Sequence, residues 1–291
     1  MDARTIKARI EELRSLMKSE GIDAFIFPST DPHNGEYVPE HWKGREFISG
    51  FTGSAGTAVV TMDDAALWTD SRYFLQAEEQ LAGTGFSLMK LKIEGTPTIS
   101  EWLGRKLAAN GGTVVGVDGM VNSINTVEAL AAELRAEGGI TLRTNFDPLA
   151  AIWKDRPSIP TDVAIAHPMK YAGESVKSKL SRIREALRAR HVEGILVSAL
   201  DDIAWALNIR GTDVHCNPVV VSYLLITMES ATLYINKCKL APAVMEHLVA
   251  NGVRTDEYDN VQKGLAKYDG YNILMDPDET CYTLYKAYGD R

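Results

Sequence analysis

The chain has 291 residues, a length that suggests two domains. Its 45% hydrophobic and 24% charged content is that of an ordinary globular protein, and no apolar run is long enough to cross a bilayer. A net charge of −8 with no Lys/Arg run argues against a nucleic-acid arm, so neither nucleic acid nor a membrane is an expected partner.

In chain order, the first 18 residues are charged and amphipathic, without the apolar core of a secretory signal. Ile6, Ile10, Leu13 and Met17 form the stripe of an amphipathic helix. A short apolar strand follows at residues 22–27. Residues 47–57 are rich in glycine and small side chains. Residues 61–68 read as the turn of a β-hairpin, with Asp63 and Asp64 at its tip. A strand at 114–118, a helix near 126–137 and a strand at 141–143 complete the first half. Residues 154–162, with Pro157 and Pro160 among alternating charges, read as a semi-rigid surface connector.

The second half repeats the first. Val176, Leu180, Ile183 and Leu187 reproduce the helix stripe 170 positions on, and residues 192–197 reproduce the strand at the same offset. Asp201 falls at that offset from Asp31. Residues 205–211 align with 47–53, residues 227–234 with 61–68, and residues 273–276 with 115–118. Five matches in the same order point to two homologous α/β units: residues 1–153, a linker at 154–162, and residues 163–291. The apolar run 218–227 reads as a buried strand, and residues 281–288 as a last helix. The second unit is expected to stop at or inside that helix, ahead of a further domain.

The motifs carry little chemistry by themselves. The glycine-rich segment lacks the ending of a P-loop, the G-x-S-x-G of a nucleophile elbow and the spacing of a dinucleotide fingerprint, so it reads as close packing of strands and helix. In Trp68-Thr69-Asp70-Ser71-Arg72-Tyr73-Phe74 a strand gives way to a helix, with Asp70 or Ser71 as N-cap. Arg72 is expected to pair with Asp70 or to hold a substrate carboxylate or peptide carbonyl. His215 and Cys216, in a polar loop, are expected to point to opposite faces of an extended backbone. Asp201 and Asp202 read as a helix cap. The six histidines are scattered, with no H-x-x-H and no acidic cluster at metal-ligand spacing, so neither a catalytic residue nor a metal ligand is expected. Three cysteines (Cys216, Cys238, Cys281), odd in number and widely spaced, fit a reducing compartment and a cytoplasmic location.

Several stretches resemble cytosolic-type, three-domain Xaa-Pro aminopeptidases (aminopeptidase P, peptidase family M24). They are Phe47-Ile48-Ser49-Gly50-Phe51-Thr52-Gly53-Ser54-Ala55-Gly56-Thr57-Ala58, the Trp68–Phe74 motif, Ile152-Trp153-Lys154-Asp155-Arg156-Pro157, residues 200–214 and Asn217-Pro218-Val219. The likeness spans the chain in order. It implies two tandem creatinase N-terminal-like domains, each a mixed β-sheet flanked by helices with a ribonuclease H-like motif, and a pita-bread catalytic domain absent from this chain. It also implies removal of the N-terminal residue from short peptides with proline second, by two divalent metal ions, usually manganese. The family's ligands (two Asp, one His, two Glu) have no matching positions here, so this region is expected to be inactive alone and to serve substrate access and active-site completion. Arg72 becomes the candidate substrate contact, across a dimer, with Asp70 and Tyr73 supporting it. The full-length protein is expected to be a homodimer and this region a monomer. The competing reading is a non-catalytic peptide- or protein-binding module. A prolidase or amidinohydrolase is disfavoured, because those relatives carry one such domain.

Overall fold

The computed structural model describes residues 2–110 and 113–289. It divides into two compact units. Unit one comprises Met1–Thr30 and Glu40–Pro157, and unit two comprises Asp31–Pro39 and Ser158–Arg291.

Unit one runs α1 (Ala3–Glu20), β1 (Ala24–Phe27), α2 (Gly44–Ser49), β2 (Thr57–Thr61), β3 (Ala65–Thr69), α3 (Phe74–Leu81), β4 (Phe86–Lys90), α4 (Ile99–Asn110), β5 (Val114–Val117), α5 (Ile124–Ala136), β6 (Thr141–Arg143) and α6 (Leu149–Ile152). Asp2 caps α1 by accepting from the Arg4 amide, and Gly21 closes it at φ 66°. The stripe Ile6, Ile10, Leu13 and Met17 is wholly buried. The sheet order is β4-β3-β2-β1-β5-β6. β1–β2 and β2–β3 are antiparallel; β3–β4, β1–β5 and β5–β6 are parallel. All four residues of β1 are buried, as suits a central strand covered on both faces. One face packs Phe25, Phe27 and Leu67 against Leu13, Phe47 and Leu149. The other packs Ile26, Val59 and Trp68 against Trp102, Leu103 and Leu134.

Unit two runs β7 (Ile165–Ala166), α7 (Met169–Ala172), α8 (Val176–Ala189), β8 (Gly194–Val197), α9 (Leu200–Leu207), β9 (Ile209–Arg210), β10 (Ser222–Thr227), β11 (Ala231–Ile235), α10 (Pro242–Ala250), β12 (Val253–Asp256), α11 (Val261–Ala266), β13 (Ile273–Met275) and α12 (Tyr282–Tyr288). Its main sheet is β12-β11-β10-β8-β13, with a small β7-β9 ribbon.

The duplication extends to register. Ala24 pairs with Thr61 and Val115, and Gly194, its counterpart, pairs with Thr227 and Ile273. Individual hydrogen bonds recur. Arg14 Nε donates to the Thr61 carbonyl at 3.0 Å and Arg184 Nε to the Thr227 carbonyl at 2.9 Å. Arg9 lies over the Phe47 ring and donates to the Phe47 carbonyl; Lys179 does both to Trp205. Gly50 and Asn208 close α2 and α9 in the left-handed region at φ 75° and 49°.

Three expectations need correction. Asp31 and Asp201 are not counterparts: Asp31 is buried in a loop, whereas Asp201 lies in the first turn of α9. Asp201 and Asp202 do not cap α9, whose N-cap is Ala199; as first-turn acids they favour the helix dipole instead. Residues 214–217 are a tight turn closed by a Val214–Asn217 bridge, with Cys216 at φ 59°, not an extended strand. The chain leaves unit one inside the 154–162 segment, whose first part is tied down. Arg156 Nε donates to the His41 carbonyl at 2.8 Å, Arg156 Nη1 to Asp147 at 2.7 Å, and His41 Nδ1 to the Pro157 carbonyl at 2.6 Å.

Candidate functional site

The predicted site residues stand together where β3 leads into α3. Asp70 caps the 3-10 turn at Ser71–Tyr73 by accepting from the Arg72 amide. The same carboxylate takes Arg72 in a bidentate pair, Nε to Oδ1 at 2.8 Å and Nη2 to Oδ2 at 2.7 Å. This two-point bond holds Asp70 down at about 2 and raises the Arg72 guanidinium. The Arg72 side chain stays 67% exposed, and its Nη1 has no hydrogen-bond partner among the described residues. Tyr73 lies beneath the guanidinium, 5.2 Å from ring centroid to Cζ, and its hydroxyl meets Ser54 Oγ at 2.5 Å. Asp70 therefore orients Arg72 and Tyr73 supports it, leaving one guanidinium edge for an outside acceptor.

The glycine-rich loop forms the floor. A Cβ on Gly53 would lie 2.3 Å from the Phe51 ring and 2.8 Å from the Tyr73 ring. One on Gly56 would lie 2.9 Å from the Trp68 carbonyl oxygen. These glycines serve close backbone approach. The Ala55 carbonyl accepts from Thr69 Oγ1 at 2.6 Å and the Gly56 carbonyl from Ser29 Oγ at 2.5 Å.

Sequence reasoning missed Arg45. It is buried beneath this loop, donates from Nη2 to the Gly53 carbonyl at 2.5 Å and lies 4.9 Å from the Phe51 centroid. Its Nε and Nη1 have no partner among the described residues, and burial lowers the guanidinium to about 10. Nothing in the local sequence marks it, since Gly44-Arg45-Glu46 carries no motif.

Unit two holds a second polar cluster that the sequence did not reveal. His33 is buried, with Nδ1 2.9 Å from the Ser198 carbonyl and Nε2 2.9 Å from the Tyr258 hydroxyl. The carbonyl requires Nδ1–H to donate, so Nε2 accepts from tyrosine and the ring is neutral. Burial lowers its pKa to about 4. Nearby, Lys239 and Asp213 form a fully buried ion pair at 2.6 Å. Held by internal partners, with only Asp213 Oδ1 left without one among the described residues, these groups serve stability. Among the described residues no group of three or more His, Cys, Asp or Glu side chains could hold a metal, and no helix is long and apolar enough to cross a membrane.

Comparison with known proteins fits this architecture. The family model of the creatinase/prolidase N-terminal domain matches residues 9–148, and a second model of that description matches residues 155–291. Aminopeptidase P2 of Arabidopsis thaliana is 39% identical over 289 residues, which are 97% of this chain and 40% of the plant protein. A probable Xaa-Pro aminopeptidase P of Aspergillus niger is 42% identical over 254 residues, 87% of this chain and 41% of the fungal protein. The crystal structure of X-prolyl aminopeptidase from Caenorhabditis elegans, described as a cytosolic enzyme with a di-nuclear active site, superposes with a TM-score of 0.90 at 28% identity. That match covers 100% of this chain and 49% of the nematode chain. The chain thus spans about 40% of the length of the curated relatives it matches. With both units matched in order, the chain belongs to the creatinase/prolidase N-terminal domain family, carried twice in tandem as in Xaa-Pro aminopeptidases.

Proposed function

We propose that this chain is the N-terminal, two-domain region of a metallo-aminopeptidase that hydrolyses the N-terminal Xaa-Pro bond of short peptides. The observation that carries the reading is superposition of the whole chain on an X-prolyl aminopeptidase of which it covers 49%. Two divalent metal ions, manganese by the family resemblance, would supply Lewis acidity and an activated water. Among the described residues no side chains form that centre; its ligands would belong to the rest of the protein, and no step of hydrolysis is assigned here. This region's own part is to limit access and to complete the substrate site. Arg72, held by Asp70 and backed by Tyr73, offers its free edge to a peptide carbonyl or carboxylate, across a dimer of the full-length protein. The 291-residue chain alone is a monomer, and the enzyme works in the cytosol.

The test assays the complete gene product beside this chain on an Xaa-Pro-Xaa tripeptide with manganese. Cleavage by the complete protein alone is expected. Cleavage by the 291-residue chain would overturn the assignment, and inactivity of both would favour a peptide- or protein-binding module.

A further inference from the structure

The turn at residues 31–35 of unit two brings a buried carboxylate onto an Asn-Gly step. Asp31 is 2% exposed, while Asn34 stands exposed in the left-handed region at φ 49°. The Asn34 amide donates to the Asp31 carbonyl at 3.2 Å and closes the turn. Gly35 follows, so no Cβ shields the next backbone nitrogen. That nitrogen is aimed at the acid: Gly35 N donates to Asp31 Oδ1 at 3.2 Å, an oxygen that also accepts from the His33 amide at 2.8 Å. The other oxygen, Asp31 Oδ2, has no partner among the described residues and lies 3.5 Å from where a Cβ on Gly35 would stand. Burial raises this carboxyl to about 6, so at neutral pH it is ionised and more basic than an ordinary carboxylate.

Asparagine before glycine is chemically labile, because the glycine nitrogen can attack the side-chain amide carbon once its proton is removed. A general base for that step must sit within hydrogen-bond reach of the proton, as Asp31 does. Asn251-Gly252 of the same unit is the comparison. Its side-chain amide is held as that of Asn34 is: Asn251 Nδ2 donates to the His247 carbonyl at 2.8 Å, and Asn34 Nδ2 to the Asp278 carbonyl at 2.8 Å. The difference lies at the glycine nitrogen. Gly252 N donates to the Val249 carbonyl at 3.0 Å where α10 ends, and a carbonyl oxygen is no base. A third such step, Asn110-Gly111, has its glycine outside the described residues.

We propose that Asn34 is a site of spontaneous deamidation, with Asp31 as the general base. The Gly35 nitrogen bonds to Asn34 Cγ as Asp31 takes its proton. The Cγ–Nδ2 bond then breaks, and Asp31 returns the proton to the departing nitrogen, which leaves as ammonia. Water opens the cyclic imide, and residue 34 becomes aspartate or isoaspartate. The product has lost the donor that met the Asp278 carbonyl and has gained a negative charge beside Asp31. The modification therefore loosens residues 31–39 within unit two.

Peptide mapping of the 291-residue chain after incubation at neutral pH tests this, because trypsin places Asn34, Asn110 and Asn251 in separate peptides, residues 19–43, 107–135 and 240–254. Asn34 is expected to deamidate about tenfold faster than Asn251 in the folded chain, and at a similar rate in urea, where both glycine amides are free. Asp31→Asn keeps an acceptor for the His33 and Gly35 amides and removes the base; it should slow Asn34 about tenfold and leave Asn251 unchanged. Should that variant not fold, the pH profile of the unaltered chain decides. With Asp31 as base the rate at Asn34 levels off above about pH 7, whereas hydroxide-driven closure at Asn251 keeps rising. His33, lowered to about 4, and Tyr258, held well above its usual range, do not titrate between these limits. Asn34→Asp, which mimics the product, should speed amide hydrogen exchange over residues 31–39 several-fold; unchanged exchange would overturn the loosening. An Asn34 rate no greater than that of Asn251 in the folded chain, one unmoved by Asp31→Asn in a folded variant, or one that climbs with pH in parallel with Asn251 would overturn the site.

Discussion

Asp213 and Lys239 place a full ion pair where both side chains are 0% exposed. Removing one partner strands a charge in the interior. Lys239→Met is therefore expected to cost about 3–5 kcal/mol, whereas replacing both residues by apolar side chains should cost far less; urea unfolding of the single and double variants checks this. Asp118 titrates in the opposite sense to a salt-bridged acid. Burial, then Asp147, raises it well above the ordinary carboxylate range, to about 7. A raised pKa means that the folded form holds the proton more tightly, so its contribution is present below about 4 and lost as pH rises through about 7. Asp118→Asn keeps the acceptor for the Met120 amide and removes the buried charge. It should stabilise unit one at pH 8 by about 1–2 kcal/mol and leave stability unchanged near pH 3.5, as thermal melts at the two pH values would show. His33 runs the other way: lowered to about 4, it supports unit two above pH 6.5 and withdraws that support as pH falls towards 4. Arg72→Ala in the complete protein is expected to lower kcat/KM for tripeptides about tenfold or more while leaving the melting temperature unchanged, because the side chain packs against the surface only.

At the scale of elements, the strands and helix stripes could be read because each is a local pattern. Residues 141–143 are a strand as expected, and the expected 126–137 helix is Ile124–Ala136. The hairpin tip at Asp63 and Asp64 closes through the Thr61 hydroxyl, which accepts from the Asp64 amide at 2.9 Å. The Asp70–Arg72 pair was readable for the same reason: two residues apart, they meet without help from the rest of the fold. Arg45 and His33 were not: Arg45 is covered by the way the glycine-rich loop folds back on it, and His33 by partners 165 and 225 positions along the chain. The glycine-rich loop shows the middle case. Its small side chains announced close packing but not against what. Gly56→Ala would press a methyl group onto the Trp68 carbonyl, and is expected to cost about 1–3 kcal/mol, seen as an earlier unfolding midpoint of unit one.

At the scale of the whole molecule, the repeat was visible as ordered matches, and the shared register now explains them: two copies keep the same strand order, so the residues that fix strand pairing keep their spacing within each element. What the linear repeat concealed is that the units are not consecutive in sequence. Residues Asp31–Pro39 belong to unit two, although they are flanked on both sides by unit one. Synthesis on a ribosome makes that plug early and its socket late. His33 reaches the Ser198 carbonyl across 165 positions, a long loop whose closure costs entropy before any contact repays it. During translation, unit one can fold around β1 while the nine-residue plug waits for its partners. A polypeptide started at Ser158 would never receive it and would carry a hole where an imidazole belongs. The two halves of this gene are therefore copies in sequence that cannot be separated by a single cut.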